Sequence, residues 1–435
     1  MYPILLIVIL FVSNFINLHL YEFKGEEDLR LEVAYEMFHG GNYFQPTLFG
    51  HYYYNKPPFF NWLILLSSHL VGWNELTGRV VSLISLAILL VVCFIFSYRL
   101  YRNFFISALS ALILISFGNV LFFYGYLGEI DITFTLFVFI TIILLYLSVV
   151  EGKSYLLLFA GLWNGLTFLL KGLPAYAFYG LSLIVLSLYK RNLRLLLSVP
   201  AILSYILSVL LPTLWLMNTV NPLKYAAVLI HESIARLENE DKSSFISALL
   251  KTFKDLLPHS VLFFVSLYIL RRHNNLSVPN KPLLLVLVVN SLPYLLSGNA
   301  GRYILPLYPL MAILMSYYVV KAFKLSQTFR KVFFWTILGV IILRILYGAF
   351  FFPIYDKKKS AAMEMMKVVG TSEVACDCIK LKALCVYVGI WKGKPLKAPD
   401  LSNWDYLITC KPVQGLRTLK HYNFGNDKEV WLQAR

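Results

Sequence analysis

The sequence predicts an all-α polytopic membrane protein with a small C-terminal α/β appendage, and three observations carry that prediction. Of its 435 residues, 59% are AVILMFWYC and only 14% are charged, whereas soluble domains carry about 25% charged residues. About eleven apolar stretches of roughly 17 to 24 residues recur along the chain, each near the length that crosses a hydrocarbon core of about 30 Å. Beyond residue 353 the composition changes. Four of the five cysteines (Cys376, Cys378, Cys385 and Cys410) lie there, outside any apolar run. A soluble enzyme is excluded on these grounds. The net charge of +16 does not point to nucleic acid, because the basic residues sit in short loops rather than on one face.

Taken in order, the first apolar run, 3–20, has no basic n-region and no small-residue cleavage site, so it is expected to stay as the first membrane helix. Further spans are expected at 79–97, 104–122, 130–150, 154–170, 172–188, 194–217, 258–270, 282–297, 302–322 and 332–352. Their polarity follows from the positive-inside rule. Alternate loops hold Arg99, Arg102, Lys153, Lys190, Arg191, Arg194, Arg271, Arg272, Lys281, Lys321, Lys324, Arg330 and Lys331 against a single acid, Glu151. The N-terminus is therefore expected inside. Segments 21–78 and 218–257 and the tail then lie outside, on the periplasmic side of a bacterial inner membrane. This divides the chain into a membrane domain, 1–352, and a C-terminal domain, 353–435. In the tail a helix is expected over 360–369 and strands over 383–390 and 406–410, with Lys357-Lys358-Lys359 as a solvated linker. Cys376-Asp377-Cys378 is not a zinc-site spacing, and an oxidising outer compartment would make these cysteines disulfide candidates.

Function is expected on the outer face. Glu26-Glu27-Asp28 opens a helical pattern with Leu29, Val33 and Met37 on one face and Glu32 and Glu36 on the polar side, and Gly40-Gly41 stops it. This reads as an amphipathic helix on the membrane surface. Asp28, Glu32 and Glu36 are accounted for by the helix dipole, whereas Glu26 and Glu27 are candidate site residues. Lys56-Pro57-Pro58 precedes the aromatic run Phe59-Phe60-Asn61-Trp62. It reads as a second surface helix, with Lys56 either a phosphate clamp or a snorkelling anchor. Glu129 and Asp131 enter the outer end of an otherwise uncharged span. There a carboxylate is costly enough to be a functional candidate, with dipole complementarity as the plainer account. Lys171-Gly172-Leu173-Pro174 repeats the lysine-before-proline arrangement, and Arg302-Tyr303 adds another outer cation. His231, within the charged stretch that runs on to Arg236, is a weaker candidate. Cations for a phosphate, a carboxylate for an incoming hydroxyl and an apolar groove for a polyprenyl tail are what a lipid-phosphate-linked donor requires.

At these residues the chain resembles the GT-C superfamily of membrane glycosyltransferases, in particular the protein O-mannosyltransferase and lipid A aminoarabinose transferase group. The motifs that carry the resemblance are Gly25-Glu26-Glu27 through Glu36-Met37, Asn55-Lys56-Pro57-Pro58, Glu129-Ile130-Asp131, Leu170-Lys171-Gly172-Leu173-Pro174 and Arg302-Tyr303-Ile304-Leu305-Pro306. None is specific alone; their order is. The resemblance places Glu26 at the family's aspartate, the acceptor-activating or acceptor-orienting carboxylate, and Glu27 at its glutamate. It places Asp131 at the second acidic position, and Lys56 and Lys171 at the motif lysines, Lys56 as a donor-phosphate contact. Where the aminoarabinose transferases carry a glutamate before Lys-Pro-Pro, this chain has Asn55. No obligatory metal is therefore expected, although a divalent metal stays open. The resemblance implies an inverting glycosyltransferase that takes its sugar from polyprenyl (undecaprenyl) phosphate. Its acceptor would be a lipid, a glycan or a protein, its surroundings membrane lipids, and nucleic acid would play no part. Catalysis would rest on Glu26, Glu27 and Asp131, donor-phosphate binding on Lys56, Lys171 and Arg302, and further substrate contact on Glu129, Tyr303 and His231. The rival reading is a flippase for a lipid-linked saccharide. The one-sided placement of the polar residues and the lack of inverted repeats argue against it.

Overall fold

The computed structural model describes residues 2–235, 244–298, 301–354, 357–425 and 428–435. Each of the eleven segments read as a span contains a helix. These are α1 (Tyr2–Ser13), α4 (Leu76–Tyr101), α5 (Phe104–Ile115), α6 (Ile130–Val149), α7 (Leu156–Lys171), α8 (Pro174–Tyr189), α9 (Val199–Met217), α12 (His259–Arg272), α13 (Lys281–Leu296), α14 (Tyr308–Leu325) and α15 (Gln327–Leu346). Among the described residues six helices are long and apolar enough to cross a membrane, and α5, α7, α8 and α13 are shorter apolar helices. The chain is a multi-pass membrane protein. The span expected over 104–122 ends early, at Ile115, and continues as a π-helical turn at Val120–Tyr124. A second π-helical turn, Tyr347–Phe351, follows α15 and leads into the short α16 (Phe352–Ile354).

Small residues set the closest helix crossing. Gly161 and Gly165 lie one turn apart on α7 and face Ser204 and Ser208 of α9. A Cβ on Gly161 would lie 2.1 Å from the Ser204 carbonyl oxygen. Without apolar burial to drive association inside a bilayer, such close backbone approach supplies van der Waals contact. Interhelical hydrogen bonds add to it, from Asn164 to the Ser208 hydroxyl at 2.9 Å and between the Tyr179 and Ser204 hydroxyls at 2.6 Å.

Segment 21–78 holds α2 (Glu27–Gly40), the hairpin β1 (Thr47–Leu48) and β2 (His51–Tyr52), and α3 (Phe59–Val71); segment 218–257 holds α10 (Pro222–Ala235) and α11 (Phe245–Asp255). In the hairpin turn both Phe49 and Gly50 have positive φ, 52° and 84°, the conformation that matches the twist of paired strands. Gly41 ends α2 in the left-handed conformation with its N–H on the Met37 carbonyl, as the glycine stop predicts.

The tail is an α/β unit as expected, with the helix expected over 360–369 and the strand expected over 406–410 in place, but one expected strand is replaced. After α17 (Lys357–Val369) comes β3 (Val374–Asp377), α18 (Lys382–Trp391), β4 (Tyr406–Thr409), β5 (Arg417–Asn423) and β6 (Glu429–Ala434), with strand order β3-β4-β6-β5. The β3–β4 pairing is parallel and the others antiparallel. The strand expected over 383–390 is the helix α18. All its residues from Ala383 to Gly389 are buried, and a short helix covered on every side has no period-3.6 polar face to reveal it. The lysine run is not a solvated linker. Lys358 donates its N–H to Glu22 at 2.8 Å and its ammonium to the Phe23 carbonyl, and Lys359 pairs with Glu75 at 2.5 Å. The cysteines form two disulfides, Cys376–Cys385 joining β3 to α18 and Cys378–Cys410 joining the end of β3 to the end of β4.

This appendage changes the surroundings of α2, which is not a surface helix with a solvated polar side. α18 packs against it. Phe23 stacks on Tyr387 at 4.7 Å, the Ala398 N–H bonds the Phe49 carbonyl at 2.9 Å, and His39 meets the Gly393 carbonyl. Glu36 accepts the Gly50 N–H. Glu32 is fully buried, and neither of its oxygens has a hydrogen-bond partner among the described residues. Burial, then Glu36 and Asp28 one turn to either side, push its carboxyl well above the usual range. The folded state thus holds a proton that the unfolded chain releases. The stability that this proton contributes is complete below the unfolded pKa and is lost as pH rises through the folded one. Glu32→Gln is expected to flatten this decline. Apparent Tm measured at rising pH in detergent checks it, and an unchanged slope in the variant would show that Glu32 is not the group responsible.

Candidate active site

The start of α2, the start of α3, the start of α6, the end of α7 and the segment leading into α14 converge, and they bring seven of the nine candidate residues together. Glu26 stands at the N-cap of α2. One of its oxygens, Oε2, lies 2.5 Å from the Arg30 guanidinium, one helical turn on, and the other, Oε1, lies 3.5 Å from Arg302. Arg30 is buried and is also held by the Tyr53 hydroxyl at 3.3 Å. The Glu26 side chain keeps 39% of its surface exposed. Burial would raise its carboxyl, but Arg30 and then Arg302, with Lys56 adding, hold it far below the usual carboxylate range.

Asp131, in the first turn of α6, pairs with Lys171, the last residue of α7, at 2.5 Å, and both are buried. The Lys171 ammonium also lies over the rings of Phe134 and Tyr303, at 5.1 and 5.5 Å. Arg302 lies over the same Tyr303 ring at 5.7 Å. Cations beside an aromatic face are attracted by its quadrupole, so Tyr303 aligns the two. Glu129, just ahead of the span, accepts the Glu26 backbone N–H at 2.9 Å through Oε1. Burial, then the neighbouring Asp131, push its carboxyl well up. Lys56 is buried at the start of α3, with its carbonyl accepting the Tyr225 hydroxyl of α10 at 2.6 Å.

Two candidates lie elsewhere. Glu27 turns away from Glu26 into a fully buried pair with Arg79, at 2.8 and 2.7 Å, and also accepts the backbone N–H groups of Lys24 and Gly128. His231 is exposed on α10, and Arg236 lies outside the described residues. Among the described residues no group of three His, Cys, Asp or Glu side chains is arranged to hold a metal ion. Two partners were not singled out in the sequence. Arg30 could have been, because it stands at i+4 from Glu26 on a predicted helix, the spacing of an ion pair. Arg79 offered only a lone basic residue at the edge of an apolar run.

Residues 55–217 match the sequence model of the dolichyl-phosphate-mannose-protein mannosyltransferase family. The fold as a whole matches the crystal structure of ArnT from Cupriavidus metallidurans bound to undecaprenyl phosphate, with a TM-score of 0.72 over 100% of this chain and 98% of that one, at 15% identity. The chain has the fold of ArnT. The apo form of the same ArnT matches with a TM-score of 0.69. Among curated relatives, an undecaprenyl phosphate-alpha-4-amino-4-deoxy-L-arabinose arabinosyl transferase of Pseudomonas savastanoi pv. phaseolicola is 27% identical over 220 residues, covering 50% of this chain and 41% of that protein. An uncharacterized protein of Aquifex aeolicus is 25% identical over 320 residues, covering 72% of this chain and 62% of its own length. The match thus spans about two fifths of the curated transferase. The fold puts the cluster where the start of α2 meets the ends of α6 and α7, with α18 of the appendage packed against α2.

Proposed function

We propose that this GT-C protein is an inverting glycosyltransferase that moves a sugar from undecaprenyl phosphate to a lipid, glycan or protein acceptor at the periplasmic face of the inner membrane. The observation that carries the reading is the convergence of Lys56, Lys171 and Arg302 on Glu26, Asp131 and Glu129 from five separate parts of the chain. Buried cations at the outer helix ends suit a phosphate leaving group, whose charge grows as the glycosidic bond breaks. Lys56 receives the donor phosphate. Arg302 bridges it to Glu26, which orients the acceptor, while Asp131 holds Lys171 in place. The ArnT neighbour bound to undecaprenyl phosphate and the named arabinosyl transferases support this choice of donor.

The test is turnover by the full chain in detergent, with a panel of radiolabelled undecaprenyl-phosphate sugars and a bacterial membrane-lipid extract. Donor consumption without separate compartments is the enzyme's result, and a flippase gives none. Lys56→Ala is expected to raise the donor KM by roughly 10- to 150-fold, the worth of one hydrogen bond to a charged group; an unchanged KM would remove Lys56 from donor binding. Turnover is also proposed to need no divalent metal, because Glu26 and Asp131 already face guanidinium and ammonium groups. Equal rates with and without EDTA are expected, and loss of activity restored by a divalent ion would overturn this.

A further inference from the structure

The three carboxylates of the cluster are not equivalent, and the difference assigns their work. Both oxygens of Glu26 face guanidinium groups, Oε2 Arg30 and Oε1 Arg302. Arginine does not give up its proton in proteins, so this carboxylate is clamped in its charged form and is a weak base. Asp131 is tied to Lys171. Glu129 differs from both, because among the described residues it takes part in no ion pair. Its Oε1 accepts the Glu26 N–H, while no hydrogen bond to Oε2 is found there, and the residue is buried with 5% of its surface exposed.

The local fold is built to admit this side chain. Glu129 is the N-cap of α6 with extended backbone angles, φ −109° and ψ 158°, which point it off the helix toward the start of α2. There the facing residue is Gly25, with φ +59° and no Cβ; a Cβ would lie 1.8 Å from Glu129 Oε1. One carboxylate oxygen is thus fixed against the Glu26 backbone, and the other is left without a hydrogen bond among the described residues.

We infer that Glu129, rather than Glu26, is the catalytic residue that accepts the acceptor's proton, and that the attacking nucleophile is therefore a hydroxyl and not an already ionised phosphate. This rests on the transferase reading. In the step, the hydroxyl oxygen bonds to the anomeric carbon and the bond from that carbon to the donor phosphate oxygen breaks, its electron pair staying on the phosphate. The hydroxyl proton passes to Glu129 Oε2. Glu26 remains ionised and holds the hydroxyl in line. Titration at Glu129 is framed by Asp131 on its own helix, Glu26 and Glu27 on α2, Tyr124 on the π-helical turn, Lys171 on α7 and Arg302 ahead of α14. Burial and the three neighbouring acids raise its titration to about 8, so its base form fills as pH rises through that value, close to the operating range where a general base works best.

Glu129→Gln tests this, because glutamine can still accept the Glu26 N–H through its amide oxygen but cannot take a proton. The expected result is a fall in kcat of roughly 10²- to 10⁴-fold, the usual worth of a positioned general base, with donor KM unchanged and the acid limb of the pH profile gone. The product should carry the sugar on a carbon-linked oxygen, and apparent Tm should match wild type. As a readout independent of turnover, wild type should show, beside the Glu32 signal, a second protonated-carboxyl infrared component that Glu129→Gln lacks and Glu26→Gln keeps. A variant that retains the acid limb or near-normal kcat would overturn the inference while leaving the transferase reading intact, as would a product with the sugar on phosphate. Wild-type inactivity with every donor would remove both together.

Discussion

Glutamine at position 26 is expected to cut turnover by about 10²- to 10³-fold, the usual cost of removing one preorganised electrostatic group from an active site. Glu26 touches Arg30 and Arg302 at once and still keeps 39% of its side chain open. Removing its charge should lower kcat rather than raise donor KM, because Lys56, Lys171 and Arg302 keep the phosphate site. The amide oxygen can still accept from Arg30, which Tyr53 also holds, so the variant should fold with only a modest drop in apparent Tm. Steady-state kinetics on the full chain in detergent measure this. Near-normal kcat in a folded variant would remove Glu26 from the mechanism.

Methionine at position 79 is expected to do the opposite, costing about 3–5 kcal/mol of stability, the loss typical when one member of a buried ion pair is removed. Every N–H direction of Arg79 is used: toward Glu27 through Nε and one amino group, and toward the carbonyls of Leu18, Tyr21 and Glu22. The variant leaves the Glu27 carboxylate buried without its cation and three carbonyls without a donor. Replacing Glu27 with leucine as well should restore only part of the loss, because those carbonyls stay unpaired. Apparent Tm and the folded yield after extraction measure both variants. An Arg79→Met protein as stable as wild type would show that the pair contributes no net stability. Glu26 and Glu27 are adjacent in sequence, yet one is expected to govern turnover and the other folding.

That contrast marks the limit of what spacing reveals. Glu26 and Glu27 open the same helix and look alike as letters. About 100° of rotation separates successive side chains on a helix, and here it sends one to Arg30 and Arg302 and the other to Arg79, 52 residues on. Arg302, at a sequence separation of 276 from Glu26, was legible as an outer cation but not as that residue's partner. The buried face of α2 was illegible for a related reason. Glu32 and Glu36 read as a polar side because nothing local announces that α18 will cover them, and α18 itself read as a strand because a helix buried all round loses its periodicity.

What the sequence by itself determined is the membrane architecture, the outer-face placement expected of the polar residues and the residue types of the cluster. Hydrophobic length, the scarcity of charge in lipid and the glycine and proline stops of α2 and α8 are local and additive properties, and they can be read along the chain. Only the tertiary structure decided which carboxylate meets which cation. It tied Asp131 to Lys171, set Glu26 between two guanidiniums, left Glu129 without an ion pair and enclosed Glu27 with Arg79. Coulombic pairing depends on distance and burial, and both are set when helices far apart in sequence pack together.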